Sequence, residues 1–303
     1  MRLFATIAGI LGLACCAFGE QQSLDICNGV NLNLPGEGLK GLNGIHWGWS
    51  VPDGIFAINE YTTRNASTYN IFSPITSPDS YFGFEFFPVL NDTLNSHAVL
   101  VASVMPTGLT FAQVNQTIAN DIAAVMRNLT NSGVEVWLRF AHEMNYFSSV
   151  DTYHGSASEF VQAWRIVHDA VQGIPGLHMF WSPNWASMED IQPWWPGSES
   201  VDIVGMDVYA FPNASFARVF DEFYNEFAKQ YNKPMTLGET STDQGLSVDK
   251  EAWVKELVRA DLGVYPCFKS VTWFEYAANG QDYRIIMGQS QETIAETLVN
   301  FLS

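Results

Sequence analysis

Eight short runs of apolar and β-branched residues recur along the chain, at 44–47, 69–72, 98–105, 134–140, 177–181, 201–208, 234–238 and 270–274. Most lack polar alternation. A strand that is apolar on both sides is covered on both faces, as in a parallel sheet enclosed by helices. Helical stripes lie between the runs. Within 111–129, Val114, Ile118, Ile122, Val125 and Leu129 fall three or four apart, with Thr110 as a candidate cap. Ser156 and Glu159 form a capping-box pattern ahead of Phe160, Trp164, Val167 and Val171. Phe216, Val219, Phe220, Phe223 and Phe227 make a third stripe, Trp253, Leu257 and Val258 a weaker fourth, and Ile294, Leu298 and Phe301 a last. Before Ala98 the helices are poorly defined and an irregular first half is expected. Eight strand–helix units in 303 residues, with no linker or low-complexity tract, predict an α/β protein with one closed (β/α)8 TIM barrel.

Composition narrows the partners. The 32 acidic residues outnumber the 14 basic ones for a net charge of −18, and such a surface repels polyanions, which excludes nucleic acid and anionic membranes. A neutral or cationic substrate remains, and the ten Trp suggest one with flat apolar faces. Met1-Arg2, the apolar run 3–18 and the small residues Ala17 and Gly19 read as a signal peptide over 1–19, leaving 20–303 as a secreted, extracellular catalytic domain. The run is shorter than the roughly 20 residues a membrane span needs. Cleavage removes Cys15 and Cys16 and leaves Cys27 and Cys267, which are expected to pair in an oxidising compartment. Two buried free thiols are the alternative that spacing alone does not exclude. Asn65, Asn91, Asn115, Asn128 and Asn213 each begin an Asn-X-Ser/Thr triplet without Pro and are expected glycosylation sites in a secreted chain.

Catalytic groups of a barrel project from the C-terminal ends of its strands. The fourth run ends Arg139-Phe140-Ala141-His142-Glu143-Met144-Asn145, the sixth Asp207-Val208-Tyr209, the seventh Gly238-Glu239-Thr240 and the eighth Trp273-Phe274-Glu275-Tyr276. Glu143 and Glu239 fit the demand of glycoside hydrolysis for two carboxyl groups, one protonated and one ionised. A pair of solvated loop carboxylates is the plainer reading that composition alone favours. His142-Glu143 opens a zincin-like pattern, but Tyr146 stands where the second metal ligand belongs. His46, His97, His154, His168 and His178 show no metal spacing, and no nucleophile elbow, phosphate loop or dinucleotide fingerprint occurs.

The stretch Leu138-Arg139 through His142-Glu143-Met144-Asn145 resembles the fourth-strand signature of glycoside hydrolase family 26, the β-mannanase family of the clan A barrels. Trp181-Ser182-Pro183-Asn184, Trp195-Pro196-Gly197 with 201–209, Lys233-Pro234 with Gly238-Glu239-Thr240, and Trp273-Phe274 through Asp282 and Arg284 are similar to its fifth to eighth strand segments, so the resemblance covers roughly 134–286. It implies Glu143 as acid/base, Glu239 as nucleophile, His142 as a sugar or nucleophile partner, Tyr209 as a donor to the nucleophile and Trp273 as a stacking platform. Asn145, Trp181 and Glu275 are further expected substrate contacts. Tyr146 departs from the usual Gly, 147–150 from a Trp-rich stretch, and Glu275 from a common Asn, departures that bear on the sugar subsites.

The expectation is a retaining endo-β-glycanase acting on a β-linked polysaccharide, β-1,4-mannan first and β-1,3- or mixed-linkage glucan or xylan next, without metal or cofactor. Its two carboxyl groups should lie about 5 to 5.5 Å apart, with a bell-shaped pH profile on the acidic side of neutrality. A non-catalytic polysaccharide-binding barrel is the alternative from another class, and it has no need of both glutamates.

Overall fold

The computed structural model describes residues 27–287, apart from 28, 53, 244–247 and 279, together with 301–302. The expected signal segment 1–19 and the stripe at Ile294 and Leu298 lie outside the described residues. The first half of the chain forms β1 (His46–Ser50), α1 (Phe56–Thr62), β2 (Thr68–Pro74), α2 (Leu90–Ser96), β3 (Val99–Met105), α3 (Gln116–Asn131), β4 (Val136–Phe140), α4 (Met144–Phe147) and α5 (Ala157–Val171). The second half forms β5 (Leu177–Trp181), α6 (Met188–Ile191), β6 (Ile203–Val204), β7 (Val208–Ala210), α7 (Phe216–Phe223), β8 (Met235–Thr242), α8 (Lys250–Val258) and β9 (Phe268–Phe274). The strands pair in parallel in the order β6-β5-β4-β3-β2-β1-β9-β8-β7, and a β6–β8 pairing closes the barrel.

Each apolar run carries a strand. The sixth splits into β6 and β7, which together make one barrel strand. Gly205 begins the break, and a Cβ there would collide with the Thr236 carbonyl. Both helices before β3 are only seven residues long, the expected irregular half. One cap differs from expectation. The backbone at Val114 is extended, so 111–113 forms a separate 3₁₀ turn capped by Thr110. Helix α3 starts later, capped by the Asn115 side chain, which accepts from the Thr117 and Ile118 N–H groups. The Ser156–Glu159 capping box at α5 forms as expected, and the α7 stripe continues into a π-helical turn over 224–229.

Cys27 and Cys267 form a disulfide with their Cα atoms 5.1 Å apart, tying the segment before β1 to the start of β9. Seven of the ten Trp, at 47, 49, 137, 164, 181, 253 and 273, are fully buried. The Trp content therefore reports mainly on the core, and the substrate faces it suggested are carried by few of these rings. Among the described residues, no helix is long and apolar enough to cross a membrane.

Candidate active site

Along the parallel strands the barrel interior changes from apolar to polar. Val99 and Val101 of β3, Trp137 of β4, Phe180 of β5 and Ile203 of β6 pack together with Leu32 at the N-terminal end. One interior step further on, Ser103 follows Val101 and Arg139 follows Trp137, both fully buried. A buried guanidinium must be paired. Arg139 forms an ion pair with the fully buried Asp207, donates from Nη1 and Nη2 to Glu239 Oε1 at 3.2 Å each, and donates to Ser103 Oγ at 3.1 Å. From Ser103 the chain of hydrogen bonds continues to Asn70 Oδ1 at 2.6 Å and from Asn70 Nδ2 to Ser50 Oγ at 3.1 Å. Gly238 leaves the space that Arg139 fills, since a Cβ there would press on the guanidinium.

Glu239 lies where the β8–β9 register shifts, between Leu237 and Thr240, and such an irregularity re-aims a side chain. Its N–H donates to Asp207 Oδ1 at 3.0 Å, an atom that also accepts from Ser182 Oγ at 2.8 Å. Tyr209 Oη donates to Glu239 Oε2 at 3.3 Å. Burial raises the Glu239 carboxyl above its usual range, while Arg139 and Tyr209 pull it back by stabilising the anion.

Glu143 stands across from it at the end of β4. The backbone enters the left-handed region at Ala141 and Glu143, with φ of 48° and 51°, which costs on the order of 1–3 kcal/mol for each non-glycine residue. Two backbone bonds hold the conformation: Ala141 N–H to Val104 O at 2.8 Å and Glu143 N–H to Ser182 O at 2.7 Å. The Glu143 carboxyl is pushed up to about 8, first by burial and then by the charge of Glu239, against smaller opposing effects of Arg139 and an Asn184 hydrogen bond. Oxygens of Glu143, Asp207 and Glu239 all come within 4.8 Å of one another. That spacing also suits a cation, but Arg139 already bridges two of the three groups.

The other predicted residues divide. His142 is buried with Nε2 3.8 Å from Glu239 Oε1, and burial followed by Arg139 lowers its imidazole well below 6.5, so it is neutral beside Glu239. Asn145 acts as a brace: its amide donates to Asn184 O and accepts from Asn184 N–H, both at 2.9 Å. Trp181 and Trp273 do not face the cleft. Trp181 packs on Trp195, Phe223 and Phe227, and Trp273 stacks on Trp47 and donates to Tyr283 O at 3.0 Å. Neither has exposed surface for a sugar. Glu275 is equally occupied, since its carboxylate accepts from the Ile285, Ile286 and Met287 N–H groups at 2.7–2.8 Å. It pins a loop instead of meeting a sugar.

The half-buried rings on the Tyr209 side of the cleft are Phe72, Phe274, Tyr276 and Tyr283. Phe274 packs against Phe72, Tyr209, Tyr276 and Tyr283. They were missed because Trp draws attention first. The signal was alternation: Thr272, bonded to Thr68 at 2.7 Å, fixes the inward face of β9, and Phe274 shares that face.

Fold and site together define a class, the (β/α)8 barrels with paired glutamates at the ends of the fourth and seventh barrel strands. The chain belongs to glycosyl hydrolase family 26, whose profile matches residues 84–287. A β-1,3-xylanase of an Alcaligenes species is 22% identical over 267 residues, covering 82% of this chain and 52% of that protein. One from a Vibrio species is 24% identical over 300 residues, covering 91% and 59%. The chain thus spans little more than half the length of these relatives. Among solved structures, a β-mannanase from Bacteroides ovatus superposes with a TM-score of 0.62 at 16% identity, covering 86% of this chain and 88% of that one. A β-mannanase from a symbiotic protist of the termite Reticulitermes speratus gives 0.57 at 16% identity, covering 86% and 87%. At such identities these superpositions speak for the fold.

Proposed function

We propose that the protein is a secreted, retaining endo-β-glycanase, with Glu143 as acid/base and Glu239 as nucleophile. The observation that carries the reading is the contrast within one buried pair. Glu143 holds a proton at neutral pH, while Glu239 is supported as an anion by Arg139 and Tyr209, with carboxyl oxygens within 4.8 Å. Retaining enzymes separate these groups by about 5–5.5 Å, whereas inverting ones leave about 6.5–9.5 Å for a water.

In the first step Glu239 attacks the anomeric carbon, the glycosidic C–O bond breaks, and the Glu143 proton passes to the leaving oxygen. In the second, water gives a proton to Glu143 and its oxygen displaces Glu239 from the same carbon. Neutral His142 adds no second positive charge beside the nucleophile, so the nucleophile's charge balance rests on Arg139.

The apolar leader, the Cys27–Cys267 disulfide and the exposure of all five sequon asparagines support secretion and glycosylation. For substrate, β-1,4-mannan is the first reading, in keeping with the solved mannanases of this fold. β-1,3-Xylan is the second, favoured by relatives that align with 82% and 91% of the chain. Incubation with mannan, β-1,3-xylan and mixed-linkage glucan, with product sizing and proton NMR of the first anomer, tests both. Internal cleavage with a β anomer formed first is expected; an α anomer first refutes retention, and no cleavage of any β-glycan refutes the hydrolase.

A further inference from the structure

Beyond β9 the strap 282–287 leaves a small ribbon in which Ala277–Ala278 pair with Gln281–Asp282, and its backbone groups are bonded one after another. The Tyr283 N–H donates to Tyr276 O at 2.9 Å and the Arg284 N–H to Asp282 Oδ1 at 3.1 Å. The N–H groups of Ile285, Ile286 and Met287 meet the Glu275 carboxylate. The carbonyls are met as well. Lys250 Nζ donates to Asp282 O at 2.6 Å and to Arg284 O at 2.8 Å, while Tyr283 O between them accepts from Trp273 Nε1 at 3.0 Å and from Ser241 Oγ at 3.3 Å. A surface loop ordinarily leaves such groups to water. Here two charged side chains, Glu275 at 1% and Lys250 at 8% exposure, divide them: a carboxylate takes N–H groups and an ammonium takes carbonyls. A charge is buried at acceptable cost only when it is hydrogen-bonded, so these two side chains and the strap fix one another.

What the strap carries is Tyr283. Its hydroxyl turns back to donate to Gln281 Oε1 at 2.6 Å, and its ring meets the Tyr209 ring edge to face, with centroids 5.2 Å apart and planes at 68°. Phe274, at 5.8 Å, bears on the same ring. Tyr209 needs such support. It lies on the three-residue strand β7, and its hydroxyl reaches Glu239 Oε2 at 3.3 Å, beyond the usual length of an O–H···O bond. A small swing of the ring would lose the contact. The Tyr283 carbonyl is also bonded to Ser241, two residues beyond Glu239 on β8, so the strap is tied to the strand that carries Glu239.

We infer that Tyr283 is a positioning residue for the nucleophile: held in place by Lys250 and Glu275, its ring keeps Tyr209 aimed so that the Tyr209 hydroxyl stays on Glu239. This rests on the hydrolase reading above. The role requires no contact between Tyr283 and a sugar, and neither Tyr283 nor Lys250 was a candidate on sequence grounds.

The test is a double-mutant cycle read on β-1,4-mannan, β-1,3-xylan or mixed-linkage glucan, whichever the wild type cleaves. Tyr283→Leu removes the edge-on ring and should lower kcat/KM roughly tenfold, within the worth of a hydrogen bond to a charged group. In a Tyr209→Phe background, where there is no hydroxyl to aim, the same substitution should change kcat/KM by less than about twofold. The acid limb of kcat/KM should move to higher pH in Tyr283→Leu, because the Tyr209 bond stabilises the Glu239 anion, while the other groups around Glu239, namely Arg139, Asp207, His142 and Glu143, are unaltered. Tyr283→Phe keeps the ring and should recover most of the loss. Lys250→Met should reproduce part of it and speed hydrogen exchange at 283–287; unchanged exchange there removes Lys250 from the clamp. If Tyr283→Leu costs as much with Tyr209→Phe as without it, or leaves the acid limb in place, the positioning role is overturned while the hydrolase stands. If the wild type cleaves none of these glycans, the hydrolase reading falls and the positioning role with it.

Discussion

Replacing Glu143 by Gln should stabilise the protein while disabling it, and the gain should depend on pH in a way that its burial dictates. Gln matches the protonated carboxylic acid in shape but never ionises. In the folded protein the Glu143 carboxyl is pushed up to about 8 from an ordinary 4.5, chiefly by burial and then by Glu239. A carboxyl raised on folding keeps its proton where the unfolded chain has lost it. Between the two values the folded state binds more protons, so wild-type stability falls as pH rises. Below pH 4.5 both states are protonated and the variant should match the wild type. At pH 7 the interval from 4.5 spans about 2.5 pH units, which at about 1.4 kcal/mol per unit favours the variant by roughly 3 kcal/mol. Above pH 8 the folded wild type ionises too, and the difference should level off near 5 kcal/mol.

Urea unfolding of both proteins at pH 4, 7 and 9 reads the effect directly. The expected pattern is coincident curves at pH 4, a variant midpoint higher at pH 7, and a still larger gap at pH 9. Activity on the true substrate should meanwhile drop by a factor of about 10²–10⁴, the usual worth of a positioned acid/base. A stability difference that does not change with pH, or a variant less stable than the wild type at pH 7, would refute the claim that Glu143 is a buried, proton-holding acid.

Other perturbations separate the remaining roles. Glu239→Gln should abolish turnover while leaving the fold intact by circular dichroism; near-wild-type rates would remove it as nucleophile. Tyr209→Phe deletes a hydrogen bond that stabilises the Glu239 anion, so the acid limb of kcat/KM should move to higher pH, and an unmoved limb would dismiss the contact. Glu275→Ala strips three amides of their acceptor, two of them buried; a cost of about 1–3 kcal/mol for each buried unsatisfied group should appear as faster hydrogen exchange at 285–287, and unchanged protection there would contradict the loop-pinning role. Reducing the Cys27–Cys267 bridge frees a loop with a sequence separation of 240 and should lower stability by up to about 5 kcal/mol, visible as a lower Tm in reductant.

The barrel was legible because parallel strands covered on both faces leave a signal that survives without neighbours: apolar runs at regular intervals with amphipathic stripes between them. Its edges were less so. At 111–129 the apolar spacing passed smoothly through Val114, yet that residue is extended and the helix begins at Gln116, capped by Asn115. Periodicity registers which face is buried and says little about where the backbone turns. The sixth run looked continuous because Gly205 and Met206 are compatible with a strand. The break follows from the close approach of Gly205 to the Thr236 carbonyl, a tertiary contact that the sequence does not display.

The site shows the same division more sharply. Glu143 and Glu239 could be picked out because each comes shortly after an apolar run, and position on the barrel rim is a sequence-local property. Trp181 and Trp273 were misplaced because a large aromatic at a strand end satisfies a cleft and a core equally well, and only alternation separates them. On β9, Thr272 and Phe274 face inward with the polar network, which sends Trp273 outward to stack on Trp47. Arg139 could have been weighted more heavily. A guanidinium two residues after Trp137 in a run otherwise apolar must lie in the barrel interior, where it requires buried anions. Asp207 and Glu239, the acids near the ends of neighbouring strands, were the available partners, and the pairing with Arg139 opposes the rise that burial imposes on the Glu239 carboxyl.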